Sequence, residues 1–166
     1  MCRFHGKKEP NMLTAQDNAT VVRALYDAFN RRDMVKALAL VTDDVKWINI
    51  PFSTSFSGHK GYREFLDNWT TAMPDCKVEL VNVVAGDEWS VAECIGRGTH
   101  TGPLMGPQGT IPATQKKLDL KFCEVLRFKD GQVAEARIYF DAATMMRQLG
   151  LLPQLVPAGQ PVPSTR

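Results

Sequence analysis

The chain has 166 residues, 44% of them apolar and 23% charged, the size and composition of one domain with a true core rather than a disordered polymer or a fibre. Twenty basic against eighteen acidic side chains leave a formal charge of +2. With only short basic clusters at His5-Gly6-Lys7-Lys8 and Arg31-Arg32, that is too little for a face that neutralises duplex phosphates, so no nucleic-acid partner is expected.

Residues 1–13 (MCRFHGKKEPNML) read as a flexible polar leader without the apolar centre of a signal peptide. A single domain is expected over 14–156. No stretch approaches the ~20 apolar residues of a membrane helix, so a cytoplasmic protein with no membrane partner is expected. Cys2, Cys76, Cys94 and Cys123 are widely spaced and form no CxxC pair. Neither a zinc ribbon nor a dithiol centre is expected, and no metal site.

A helix begins near Thr14, with Asp17 three residues on as a capping box. Val21, Leu25, Ala28 and Phe29 recur at helical spacing, widened by Val22. Asn30-Arg31-Arg32-Asp33 interrupts, and a shorter helix carries Val35 and Leu38 until Thr42-Asp43-Asp44 ends it. Val45 to Ile50 reads as a short strand closed by Pro51, and Phe52 to Lys60 as a Ser/Gly-rich connection. Gly61 to Met73 forms a third helix with Tyr62, Phe65, Leu66 and Trp69 on one side.

Sheet follows. Val78, Leu80, Asn82 and Val84 share one strand face, and Gly86-Asp87 turns the chain into Trp89, Val91, Glu93 and Ile95. Thr99 to Thr114, rich in Gly and Pro, reads as a long loop of the sort that borders functional sites. Leu118, Leu120, Phe122, Leu126 and Phe128 alternate along a long strand whose pattern Glu124 breaks. Asp130-Gly131 is a hairpin turn, Val133 to Phe140 returns, and Ala142 to Leu152 is a last helix with Asp141 as N-cap. Residues 157–166 (PAGQPVPSTR) read as a flexible tail. Helices gathered first and strands last give an α+β domain, the helices packed on one side of a strongly curved sheet.

Several blocks carry a resemblance: Phe29-Asn30-Arg31-Arg32-Asp33, Thr42 to Trp47, Gly58-His59-Lys60-Gly61-Tyr62, Gly98-Thr99-His100-Thr101-Gly102, Tyr139-Phe140-Asp141 and Arg147-Gln148-Leu149-Gly150. In order and over about residues 15–155, they resemble the SnoaL-like polyketide cyclases within the NTF2-like superfamily. The resemblance implies an NTF2-like cone with a mixed or antiparallel sheet, cofactor-free acid/base chemistry on an apolar, carbonyl-rich, polyketide-like substrate, and a homodimer or homotetramer. It also places Ile138 where relatives carry a catalytic aspartate, and isoleucine cannot transfer a proton.

The acid/base role then falls to Asp141, beside the mouth of the cone, or to Glu124, a carboxylate on an apolar strand face that could instead pair with Arg137. Asn49 and His100 are candidate donors to a substrate oxygen. Trp47, two residues before Asn49 on one strand face, could stack on a ring. Ile138, Phe122, Tyr139, Arg97, Met105 and Met145 complete the candidate substrate contacts. Binding of an apolar ligand without chemistry, and an isomerase, dehydratase or epoxide hydrolase on the same fold, are the alternative readings.

Overall fold

Thr14 and Asp17 start the first helix as a reciprocal pair. The Thr14 backbone N–H donates to the Asp17 carboxylate at 2.9 Å, and the Asp17 N–H donates to the Thr14 hydroxyl at 3.3 Å. The computed structural model of the chain describes residues 14–106 and 108–152. The expected leader and tail lie outside the described residues.

Helix α1 (Ala15–Arg31) ends because Arg32 turns left-handed, at φ 61°. Its guanidinium fastens that turn, donating to the carbonyls of Phe29 (2.8 Å), Pro74 (3.0 Å) and Cys76 (2.7 Å). Arg31 pairs with Asp27 at 2.8 Å. The Arg31-Arg32 cluster is therefore spent on holding the helix end.

Helix α2 (Met34–Ala39) follows, capped by Asp33. Strand β1 (Val41–Asn49) starts earlier than the sequence suggests. Thr42-Asp43-Asp44 extends rather than stops the chain, because Val41 and Val45 are both fully buried and Val41 already pairs with Val133. The expected Ser/Gly connection contains an edge strand, β2 (Thr54–Ser57), antiparallel to β1, and α3 (Gly58–Ala72) begins directly after it.

The long antiparallel strands are β3 (Lys77–Ala85), β4 (Trp89–Thr99), β7 (Lys117–Lys129) and β8 (Gln132–Phe140), and α4 (Ala142–Gln148) closes the chain. The Gly/Pro-rich segment holds a small hairpin of its own, β5 (Leu104–Gly106) and β6 (Gly109–Ile111). The main sheet runs β2-β1-β8-β7-β4-β3 and is mixed, because β1 and β8 are parallel and the other pairs antiparallel. Helices α1 and α3 pack on its concave face. A bulge between Leu80 and Asn82 shifts the parity of β3. Leu80 opposes the buried Cys94, but Asn82 opposes Glu93 and Val84 opposes Val91, on the outer face. The single face expected for Val78 through Val84 is thereby split.

Two clusters fill the cone. One joins α1, α3 and the middle of the sheet around Val22, Trp47, Tyr62, Leu126 and Ala136. The other, around Met73, Leu104, Leu118, Met145 and Leu149, plugs one end beneath α4. α4 is shorter than expected, so Leu152 stays exposed while Met145 and Leu149 are buried. Among the described residues no helix is long and apolar enough to cross a membrane.

Gly102 marks where the loop meets α3. A Cβ there would clash with the Thr71 carbonyl oxygen, a backbone atom with no room to yield. Gly102→Ala is expected to cost about 2 kcal/mol or more and to lower the melting temperature by roughly 4 °C or more. An unchanged calorimetric melt would show that the loop does not press on α3 as described.

Candidate active site

Alternation along β7 sends Leu118, Leu120, Phe122, Glu124, Leu126 and Phe128 to the concave face. Five are apolar, so the sixth takes a carboxyl into the core. Glu124 is 4% exposed. It lines a cavity of about 90 Å³ whose walls are otherwise almost wholly apolar, including Leu25, Tyr62, Phe65, Phe122 and Ile138.

One side chain makes a hydrogen bond of normal geometry to this carboxyl. Tyr26, on the inward face of α1, donates its hydroxyl to Glu124 Oε2 at 2.7 Å. The Trp47 indole N–H, on β1, lies on the same side and favours the ionised form, as the Tyr26 bond does, yet it is buried and meets no acceptor at hydrogen-bond geometry. Burial outweighs both and lifts the Glu124 pKa from an ordinary 4.5 to about 7. Tyr62 stacks on Trp47 with ring centroids 4.5 Å apart. Burial, and then the charge on Glu124, push the pKa values of Tyr62 and Tyr26 well above 10, so both hydroxyls keep their protons.

The arrangement is a single carboxyl half-ionised near neutrality, with donors around it, in a space with few other polar groups. Such a group can take a proton from carbon and return it. Cys94, beside Tyr26, is pushed up to about 12 by burial and stays a thiol. Among the described residues no three His, Cys, Asp or Glu side chains cluster as a metal site would require.

The sequence profile described as SnoaL-like polyketide cyclase matches residues 19–149. The chain belongs to the SnoaL-like polyketide cyclase family. Its fold is the NTF2-like, ketosteroid isomerase-like α+β fold. A candidate SnoaL-like polyketide cyclase from Jannaschia sp. CCS1 is 20% identical, with a TM-score of 0.74 over 89% of this chain and 100% of that one. IdmH, a candidate polyketide cyclase from Streptomyces antibioticus, is 23% identical, with a TM-score of 0.67 over 80% of this chain and 98% of that one. An LEH-like epoxide hydrolase from M. tuberculosis is 18% identical, with a TM-score of 0.63 over 81% of this chain and 90% of that one. At such identities the likeness speaks for the fold. None of the curated proteins matches the chain in sequence.

Within this SnoaL-like chain the structure gathers some of the expected site residues and separates others. Glu124, Trp47, Phe122 and Ile138 all line the cavity. Arg97 reaches its mouth, but its guanidinium is tied to Glu79 (2.7 Å) and Asp119 (2.8 Å).

Asp141 does not reach the cavity. It is exposed and caps α4, its carboxylate accepting the Thr144 hydroxyl at 2.5 Å and the Thr144 N–H at 3.0 Å. Those bonds hold its pKa below the usual carboxylate value, the opposite of what a neutral-pH base needs. Arg137 is no partner of Glu124. The residue opposite Glu124 on β8 is Ile138, and Arg137 faces outward over Trp89 and beside Glu135.

His100 is fully buried in the loop after β4, away from the cavity lining. Its Nδ1 meets the Thr114 hydroxyl at 3.0 Å and the Thr114 N–H at 3.3 Å, and its Nε2 is buried with no partner among the described residues. Tyr139 is 41% exposed on the outer sheet face. Met145 belongs to the plug beneath α4. Asn49 and Met105 line a separate groove beyond Phe65.

Tyr26 and Tyr62 are site residues that sequence reasoning passed over. Tyr62 was read only as part of an apolar helix face. For Tyr26 the signal was its place next to Leu25 on the inward stripe of α1, where a buried phenol must find an acceptor.

The raised Glu124 pKa makes folding depend on pH. The folded chain holds this proton up to about pH 7, whereas the unfolded chain releases it near 4.5. The stabilisation is therefore complete below pH 4.5 and is lost as the pH rises through 7, by on the order of 3 kcal/mol. Glu124→Gln should flatten this part of the curve and raise stability at pH 8 relative to the parent. Denaturant melts across pH 5–8 would show it, and parallel curves for the two proteins would contradict the buried, protonated carboxyl. Tyr26→Phe, which removes a bond to the ionised form, should move the Glu124 pKa above 7 in a carboxyl-carbon NMR titration.

Proposed function

We propose that this protein is a small-molecule enzyme that moves a proton with Glu124, closing a ring by an intramolecular aldol step or a related reaction on an apolar, carbonyl-rich, polyketide-like substrate. The observation that carries the reading is the buried Glu124 carboxyl in the apolar cavity, hydrogen-bonded to Tyr26 alone among the described residues. Family membership and the cyclases among its structural neighbours support the substrate class.

In this reading Tyr26 fixes Glu124 through Oε2. The other oxygen, Oε1, makes no hydrogen bond of normal geometry and meets the acidic C–H between two carbonyls. As the proton leaves carbon, negative charge grows on a carbonyl oxygen. The Trp47 N–H, on the cavity wall and without an acceptor among the described residues, would meet it. Tyr62, whose hydroxyl is unbonded among the described residues, offers a second donor. Fixed donors in a dry cavity gain more from such charge than water would. Asn49 and His100 are not needed for the step. The carbanion attacks a third carbonyl, farther along the same substrate, and the protonated Glu124 gives its proton to the new alkoxide. Proton count balances, and the side chains named carry the cycle without a cofactor.

Glu124 also answers the loss of the family carboxylate at Ile138. The two are direct cross-strand partners on the concave face, with Cβ atoms about 5 Å apart in such pairs. The adjacent strand thus delivers a carboxyl to nearly the same place. At about 90 Å³ the cavity admits the reacting end of a ligand rather than a whole polycyclic body.

For assembly we propose a homodimer through the outer sheet face, where Val84, Val91 and Val125 form one cross-strand row beside exposed Tyr139 and Trp89. Light scattering at micromolar concentration should give twice the chain mass. A monomer would overturn the assembly.

The chemical test follows an anthraquinone-type polyketide ester that can close a ring, by mass-resolved chromatography. Glu124→Gln should lose about 10²-fold or more of the closure rate. Asp141→Asn should keep the rate, since Asn still caps the start of α4. Because the base must be ionised, kcat/KM should rise with pH and level off above about 7, following Glu124. Full turnover by Glu124→Gln would sink the assignment.

A further inference from the structure

A second space, larger and chemically different, lies outside the Glu124 cavity. It is a groove of about 610 Å³ between β2, α3 and β5. Among the described residues Phe65 alone walls both spaces. Where the cavity is nearly all apolar, the groove sets polar groups around an aromatic wall.

Asn49 is the central one. It is 4% exposed, yet it lines the groove. Its carboxamide oxygen accepts the Phe52 N–H at 3.3 Å in the turn after β1. That bond fixes the amide and leaves the NH2, unbonded among the described residues, for the groove. Opposite, α3 presents Glu64 and Asp67, three residues apart and so on one helix face. Asp67 makes no ion pair or side-chain hydrogen bond among the described residues, and Glu64 has only Lys60, 3.9 Å away. Thr54 adds a hydroxyl, and the Phe56 ring, half-buried, lies beside it.

These groups define what would fit. Carboxylates alone would suit any cation, but a buried amide donor lining the same groove asks for a ligand atom that accepts. A hydroxyl both gives and takes a hydrogen bond, and a ring of hydroxyls has C–H edges that pack on a phenyl face. Phosphate and carboxylate ligands are disfavoured by Glu64 and Asp67.

We propose that this groove binds a polyhydroxylated ring, either a free sugar or a glycosyl group carried on an apolar body. Asn49 donates to a ring oxygen, Asp67 and Glu64 accept from hydroxyls, and Phe56 packs against the C–H face. The proposal does not depend on the chemistry assigned to Glu124. Phe65 merely makes the two sites neighbours, so that a glycosylated ligand would lie with its apolar part toward Phe65.

The test uses the full isotopically labelled chain and backbone amide NMR shifts. The probes are the methyl glycosides of glucose, galactose and rhamnose, and the naphthyl glycosides of the same sugars. Shifts centred on Thr54, Asp67 and Thr71 are expected with at least one sugar. Binding by methyl and naphthyl forms alike identifies a sugar site, and binding by the naphthyl form alone identifies a site for a conjugate. Asp67→Ala, at an exposed position, should weaken binding roughly tenfold. Asn49→Asp, which keeps the acceptor for Phe52 and removes the donor, should do the same. Glu124→Gln should leave these shifts unchanged, so either site can fail without the other. The proposal is overturned by shifts only at the cavity mouth around Phe29, Trp69 and Phe122. It is equally overturned by no shift with any probe at up to about 50 mM, a range that would reveal millimolar binding, or by undiminished binding in both groove variants.

Discussion

Everything at the centre of this molecule follows from one uncompensated choice, a carboxyl placed on the apolar face of β7. A buried carboxylate needs either a cation or enough donors to hold its charge. Among the described residues Glu124 has no cation beside it, and the Tyr26 hydroxyl at 2.7 Å with the nearby Trp47 N–H does not outweigh burial, so it remains protonated to about pH 7. An arginine on the same face would have formed an ion pair, lowered that pKa and left an acceptor with nothing to give. Strand parity prevents it: the register that sets Ile138 opposite Glu124 turns Arg137 outward. Helix α1 must then be held at a fixed height above the sheet so that Tyr26 arrives. Asn18, donating to the Gly86 and Asp87 carbonyls at 2.9 Å, ties the start of α1 to the β3–β4 turn, and the Arg32 clasp on Pro74 and Cys76 ties its end.

The same balance explains why two carboxylates that look alike in sequence differ in kind. Asp141 stands in water at a helix start, with a hydroxyl and an amide to stabilise its charge. It stays ionised and holds the helix. Glu124 stands in an almost wholly apolar cavity and keeps its proton to about pH 7. Environment, not residue type, separates the ionised acid from the protonated one.

Local signals were legible and distant ones were not. The capping box, the Asp130-Gly131 turn and the alternation of β7 are decided within a few residues, and each appears where its residues place it. Glu124 was legible as the one break in that alternation. Strand β2 and the β5–β6 hairpin were hidden, because Ser, Gly and Pro describe a loop until a pairing partner is known. The bulge after Leu80 was equally hidden, and it alone sent Asn82 and Val84 to the wrong face in a strict two-residue count. Tyr26 was obscured for a different reason. A tyrosine in an apolar helix stripe reads as core, and only the partner ninety-eight positions away makes it part of a site.

A cavity lined by a single carboxyl, among the described residues, constrains the chemistry it could support more tightly than its shape does. Hydrolysis asks for one group to activate water and another to protonate a leaving atom, which is why paired acids are the usual solution. Among the described residues Glu124 is the only carboxyl in the cavity lining, and the thiols and phenols around it hold their protons far above neutrality. A lone acid of this kind is suited to reactions in which the proton taken from carbon goes back to the same molecule. Aldol closure and double-bond migration share that bookkeeping, whereas epoxide opening by water does not. The position of the proton, at one end and returned at that end, is thus the property by which this chain would divide the reactions its fold family performs.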